Sequence, residues 1–206
     1  MRTTTPLRRA LITVTATAAV VLTATGSAVA VPVCGTATAP HAAALSLSPL
    51  HPVVELAAER LATADLVAAA KWGTDSPIDD PAREQQVLDN VAAQAQQLGA
   101  DPDEIRTIFR DQIEANKLVQ RGLFQRWTDH PDEAPTTKPD LTVVRRQINR
   151  ITSALVQSLA DSSENRSTFT CSPELAVAAF QVHYENHLDA LHTRALHRAL
   201  PSICRD

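Results

Sequence analysis

The sequence predicts an all-α protein. Five glycines in 206 residues and an aromatic content of 3%, beside abundant Ala, Leu, Gln, Arg and Glu, leave little material for sheets. Apolar residues recur at helical spacing along several long segments, and no run alternates as a half-buried strand does. Helix punctuation brackets those segments, with Asp-Pro at starts and Gly at ends. No internal repeat is present.

The first helix is expected from Pro49 or Pro52 to Trp72, with Ser48 as a cap and Gly73 as the C′ residue. Residues 74–79 contain a proline, lack periodicity and form a loop. Asp80-Pro81 opens a second helix that ends at Leu98-Gly99. Asp101-Pro102-Asp103-Glu104 combines a cap, an N1 proline and an N3 glutamate, and starts a third helix reaching about Trp127. A Pro/Thr/Asp-rich link at 130–138 precedes a fourth helix from Pro139 to about Ala160. The polar run 161–170 then leads to Cys171 and a closing helical segment.

The N-terminus reads as an export signal. Arg2, Arg8 and Arg9 form a basic start, Ala10 to about Thr25 is apolar, and Ser27-Ala28-Val29-Ala30 supplies small residues for cleavage after Ala30. The apolar run is short for a membrane span, so a retained anchor is disfavoured. Val33 occupies the position where a lipid attachment at Cys34 needs a small residue. The expected organisation is a signal peptide at 1–30, a flexible leader at 31–48 and one functional domain at 49–206. The mature protein is expected to be secreted or periplasmic, with no membrane contact after cleavage. Loss of three arginines takes the net charge from −4 to about −7, which argues against nucleic acid or an anionic membrane as partner.

Three cysteines in an exported chain suggest one disulfide and one cysteine left over. Cys171 and Cys204 flank the last helical region, whereas Cys34 lies in the leader. Bridged Cα atoms lie within about 7 Å, but one straight helix from Glu174 to Leu200 would hold its ends about 40 Å apart. The segment must therefore fold back, with the turn placed near residues 184–187, into a C-terminal helical hairpin.

Polar residues on apolar faces point to the functional site. With Arg60 as zero angle, Val53, Leu56, Ala57, Ala64, Val67 and Lys71 all fall within about 60° of it. Glu55, Glu59 and Asp65 point elsewhere. Asn116 and Gln120 share a stripe with Ile105, Phe109, Ile113, Leu123 and Trp127, and Arg145 lies among Leu141, Ile148, Thr152, Val156 and Leu159. Buried cations without partners are costly, and nearby carboxylates are too few. An anionic ligand is expected to complete the site.

The full set is Arg60, Lys71, Asp80, Arg83, Glu84, Asn116, Gln120 and Arg145. Its Arg–x10–Lys–x8–Asp–x2–Arg–Glu spacing, in the context AAERLATADLVAAAKWGTDSPIDDPAREQQVL, is followed by DQIEANKLVQ and PDLTVVR. From Val53 to Cys204 the chain resembles the AroQ-type chorismate mutases, and within them the exported gamma subclass. Asn116 departs from the pattern, standing where the family usually has Ser or Thr.

The resemblance implies a single-domain helical bundle, a homodimer and no cofactor or metal. The implied activity is rearrangement of chorismate, a dianion, to prephenate in one pericyclic step without a nucleophile. The site has to hold the enolpyruvyl side chain over the ring and stabilise charge as the ether C–O bond breaks. In the implied roles Arg60 and Arg145, assisted by Lys71, clamp the carboxylates, and Lys71 and Gln120 donate to the ether oxygen. Glu84, with the chain around Asp80 and Arg83, holds the ring hydroxyl, and Asn116 supports a carboxylate.

Plainer readings exist for single residues. Asp80 reads equally well as the N-cap of the second helix. Arg83 and Glu84 alone would be a solvated pair, and Asn116 and Gln120 could satisfy each other. The alternative function is a non-catalytic helical binding protein for a carboxylated metabolite. His183 and His187 have metal-ligand spacing, but the expected turn separates their faces, so no metal site is expected.

Overall fold

The computed structural model describes residues 47–205. The expected signal peptide, its cleavage after Ala30, Cys34 and nearly all of the leader lie outside the described residues. Among the described residues seven helices follow in order: α1 (His51–Lys71), α2 (Pro81–Gln97), α3 (Pro102–Asp129), α4 (Leu141–Asp161), α5 (Ser163–Arg166), α6 (Cys171–Glu185) and α7 (Ala190–Ala199). A 3-10 turn, Pro131–Glu133, lies between α3 and α4. Among the described residues there is no strand, and no helix is long and apolar enough to cross a membrane.

The helix boundaries follow from local chemistry. The Ser48 hydroxyl accepts from Leu50 N at 3.2 Å and its carbonyl accepts from His51 N at 2.9 Å, so α1 begins between the two prolines. Gly73 and Gly99 take φ of 67° and 72° just beyond α1 and α2, a left-handed conformation that suits glycine. Asp101 accepts from Asp103 N at 2.9 Å and starts α3. Asp140 accepts from Thr142 N at 2.7 Å, so α4 starts at Leu141 and Pro139 stays outside it.

α1 runs through the centre of the bundle and packs against α3, α4, α6 and α7, while α2 lies on α3 and α4. Its buried Val53, Val54, Ala57, Leu61 and Ala64 meet Ile105, Ile108 and Phe109 of α3 and Leu155 and Leu159 of α4 in one core. Small residues on α1 let its neighbours approach closely. Gly122 does the same on α3, because a Cβ there would lie 2.6 Å from Leu191 Cδ1 of α7.

The closing segment folds back as its cysteines require. Cys171 and Cys204 are bridged with their Cα atoms 5.8 Å apart. The turn falls between Glu185 and Ala190, where His187 has φ of 49°. His183 Nδ1 pairs with Thr193 Oγ1 at 2.9 Å across the hairpin, which gives it a structural partner. The polar run 161–170 is more than a linker. Its Arg166 is fully buried, donates to the carbonyls of Ile203 at 2.9 Å and Leu159 at 2.8 Å, and pairs with Glu104. Arg205 reaches the same carboxylate at 2.6 Å, so one acid ties the C-terminal tail to the start of α3. Burial, reinforced by the Arg205 charge, lowers the Arg166 pKa to about 10.

Candidate active site

A cleft of about 250 Å³ opens between α1, α2, α3, α4 and the loop before α2. All eight residues singled out from the sequence line it: Arg60, Lys71, Asp80, Arg83, Glu84, Asn116, Gln120 and Arg145. Apolar walls come from Val67, Ile78, Val87, Ile113, Leu141 and Ile148. The arrangement follows from helical period. Arg60 and Lys71 are eleven residues apart on α1, three helical turns, so both face the same way. Asn116 and Gln120 stand one turn apart on α3.

Arg60 is 5% exposed at the cleft floor. Its Nη1 donates to the Gln112 carbonyl at 3.0 Å, Cζ sits 5.7 Å from the Phe109 ring centroid, and its buried Nε has no partner. Burial without a carboxylate lowers its pKa to about 10. Lys71, half-buried, donates from Nζ to the Pro77 carbonyl at 2.7 Å and so holds the loop against the cleft. Its pKa is lowered by burial, with Asp80 opposing and Arg145 reinforcing the shift.

Asp80 is the N-cap of α2, its carboxylate accepting from Arg83 N at 3.0 Å. The capping reading therefore holds, while the residue also lines the cleft. Arg83 reaches Gln86 at 3.1 Å. The Asn116 amide donates to the Gln112 carbonyl at 3.0 Å and the Gln120 amide to the Asn116 carbonyl at 3.4 Å. Both amides bond one turn back along α3 rather than to each other, and the buried Gln120 Oε1 has no partner. Arg145 corrects one expectation: it is exposed at the cleft edge, not buried on the apolar side of α4. Adjacent Val144 is only 3% exposed, so this end of α4 is packed, and Arg145 is exposed because its own face, with Leu141 and Ile148, borders the open cleft.

The acids present do not neutralise these cations. Glu84 is held by a residue that sequence reasoning missed, Lys117, at 3.2 and 3.3 Å from its two oxygens. Lys117 also reaches Asp79 at 3.1 Å and Glu114 at 2.5 Å. Burial alone would lower the Lys117 pKa, but its hydrogen bonds to Glu114, Asp79 and Glu84 outweigh it and hold it raised. Arg121 grips Asp79 through both carboxylate oxygens, at 2.7 and 2.9 Å. The one available signal was the Glu114–Lys117 spacing, which reads as an ordinary surface pair.

Five cations, Arg60, Lys71, Arg83, Lys117 and Arg145, thus line a walled cleft whose two acids are already engaged, and no His or Cys lines it. Fold and cleft define an all-helical protein with a walled pocket rich in cationic and amide donors. Residues 52–121 match the family described as chorismate mutase type II. The chain is 38% identical over 166 residues to a secreted chorismate mutase of Mycolicibacterium smegmatis, covering 81% of this chain and 92% of that protein. A secreted chorismate mutase of Mycobacterium tuberculosis is 34% identical over 166 residues, with 81% and 83% covered. The crystal structure of chorismate mutase from Burkholderia phymatum matches with a TM-score of 0.73 at 38% identity, covering 78% of this chain and 98% of that one. The chain belongs to the chorismate mutases, in their all-helical AroQ branch.

Proposed function

We propose that the cleft lined by Arg60, Lys71, Asp80, Arg83, Glu84, Asn116, Gln120 and Arg145 is where this exported chorismate mutase converts chorismate to prephenate. The observation that carries this is Arg60, a buried guanidinium with an unpartnered Nε and no carboxylate on it. A substrate carboxylate supplies the missing anion, and Arg145 and Lys71 at the cleft edge take part in the clamp.

The reaction is an intramolecular rearrangement, so the protein's work is positional and electrostatic. Fixing the enolpyruvyl arm over the ring removes the freedom that slows the reaction in water. Lys71 keeps two ammonium protons beyond the one on Pro77, and these are available to the ether oxygen as negative charge grows there. The Gln120 amide makes only a long bond at 3.4 Å, and rotation about its last torsion turns its NH2 toward the same oxygen. Glu84 accepts from the ring hydroxyl, with the chain around Asp80 and Arg83 beside it. Asn116 supports a carboxylate.

The homodimer is what the family resemblance implies, and with all eight residues on one chain each subunit would carry a complete cleft. A signal peptide at 1–30, cleaved after Ala30, and a functional domain at 49–206 complete the proposed organisation. Lys71→Ala tests the site. It should retain helicity and melting temperature while losing about a hundredfold or more in turnover, and near wild-type turnover would move the chemistry elsewhere.

A further inference from the structure

We propose that Lys117 is a positioning residue for the rearrangement: it fixes the carboxylate of Glu84 at the angle from which that group holds the substrate's ring hydroxyl. This rests on the reading of Glu84 as the hydroxyl's acceptor.

Lys117 stands between Asn116 and Gln120 on α3 but is rotated one residue, about 100°, toward α2. Its side chain is buried, with 8% of the residue exposed, and its ammonium meets both oxygens of Glu84 at 3.2 and 3.3 Å. Asp80 N also donates to Glu84 Oε1, at 3.3 Å. An ammonium and a backbone N–H therefore fix the plane of this carboxylate. Each oxygen has more than one acceptor site, so capacity remains for a hydroxyl in the cleft. A glutamate one turn into a helix otherwise samples several rotamers, and its ordering cost would fall on substrate binding.

Lys117 has two further acids: Asp79, which does not depend on it for its place, and Glu114, which lies outside the cleft. Arg121 holds Asp79 through both oxygens, so the loop that covers the cleft keeps its anchor without Lys117. Glu114 precedes Lys117 by one turn on α3 and does not line the cleft. The consequence of removing Lys117 is thus concentrated on Glu84.

A double-mutant cycle on the full chain tests this, with kcat, KM for chorismate and melting temperature measured for Glu84→Gln, Lys117→Met and the combination. Glu84→Gln should lower kcat/KM. Lys117→Met should lower it by about 10–100-fold, the usual range for a group that orients a ligand-binding side chain. The combined variant should be no worse than Glu84→Gln alone, because Lys117 acts through Glu84. A merely structural lysine would instead change the melting temperature and leave the two losses additive. Wild-type kcat/KM in Lys117→Met beside an impaired Glu84→Gln would overturn the positioning role, as would additive losses. Wild-type activity in Glu84→Gln would overturn the underlying reading instead. If Lys117→Met does not fold, Glu114→Gln/Lys117→Met removes the stranded acid with the cation and is read against the same outcomes.

Discussion

Arg60 Nη1 lies 3.0 Å from the main-chain oxygen of Gln112, a carbonyl that also accepts from the Asn116 amide at 3.0 Å. The guanidinium is therefore tethered to the helix that carries Asn116 and Gln120, with Phe109 beneath it and the cleft ahead of it. Among the described residues no carboxylate forms an ion pair with it. Such a group is costly to the fold and useful to a dianion.

That trade-off is measurable. Arg60→Met replaces a desolvated charge by a side chain of similar length, and the Gln112 carbonyl keeps its other donor. The variant should melt at or above the wild-type temperature while turnover falls by about a hundredfold or more, roughly 3 kcal/mol in transition-state stabilisation. Calorimetry and a turnover assay on one preparation check both halves. Lower stability with retained turnover would make Arg60 a structural residue.

Gln120 reports on where charge develops. A glutamine amide donates at any ordinary pH, whereas a glutamate donates only when protonated and repels negative charge when ionised. Gln120→Glu should lose activity at neutral pH and recover part of it as pH falls, following one carboxyl protonation. Lys71 opposes that recovery by favouring the ionised form. The wild type should stay comparatively flat over the same range, and a mutant equal to wild type at neutral pH would turn Gln120 away from the breaking bond.

Much of this arrangement is legible in the sequence because it is local. Asp101-Pro102, Asp80-Pro81, Gly73 and Gly99 set their helix ends through their own backbone chemistry. The Cys171–Cys204 bridge forces the hairpin by distance alone. Period places Arg60, Lys71, Asn116 and Gln120 on one cleft. What is not local is not legible. A helical wheel gives a direction and not what fills the space there, and the face that carries Arg145 borders the open cleft rather than a neighbouring helix. Lys117 lies off the apolar stripe of α3 and is buried only because α2 brings Glu84 across it. Arg166 sits in a polar run without periodicity, and its burial depends on Glu104, 62 positions earlier in the chain.

The disulfide should matter to stability and not to chemistry. It closes α6 and α7, whereas the cleft residues lie on α1 to α4 and the loop between α1 and α2. Cys171→Ser/Cys204→Ser should lose roughly 3–4 kcal/mol in chemical denaturation on the chain-entropy model. Its kcat should equal the wild-type value at denaturant-free temperatures below its transition. A large change in kcat in the folded variant would link the hairpin to the cleft.

His192 provides a pH-dependent clasp between α7 and α1. Its Nε2 meets Asp65 at 3.0 Å and its Nδ1 meets Asp189 at 2.9 Å. The hydrogen bond to Asp65 raises its pKa to about 9, with burial opposing and Asp189 adding to the rise. A raised folded-state pKa gives stability that is complete below the ordinary histidine value of about 6.5 and is lost as pH climbs through about 9. Both acids are about half exposed, so the effect should be on the order of 1–2 kcal/mol. Denaturation midpoints of wild type and His192→Gln from pH 6 to pH 10 check this. Wild type should lose its advantage over the variant across that window, and a constant difference would remove the clasp.

Rearranging chorismate and merely holding it leave different products in solution. The most direct measurement follows chorismate and prephenate together, by chromatography, in the presence of purified wild type or Arg60→Met. Chorismate should convert stoichiometrically to prephenate at a rate proportional to wild-type enzyme, with conversion reduced to near background in Arg60→Met. Saturable binding of chorismate with no prephenate formed, or equal conversion by both proteins, would contradict it.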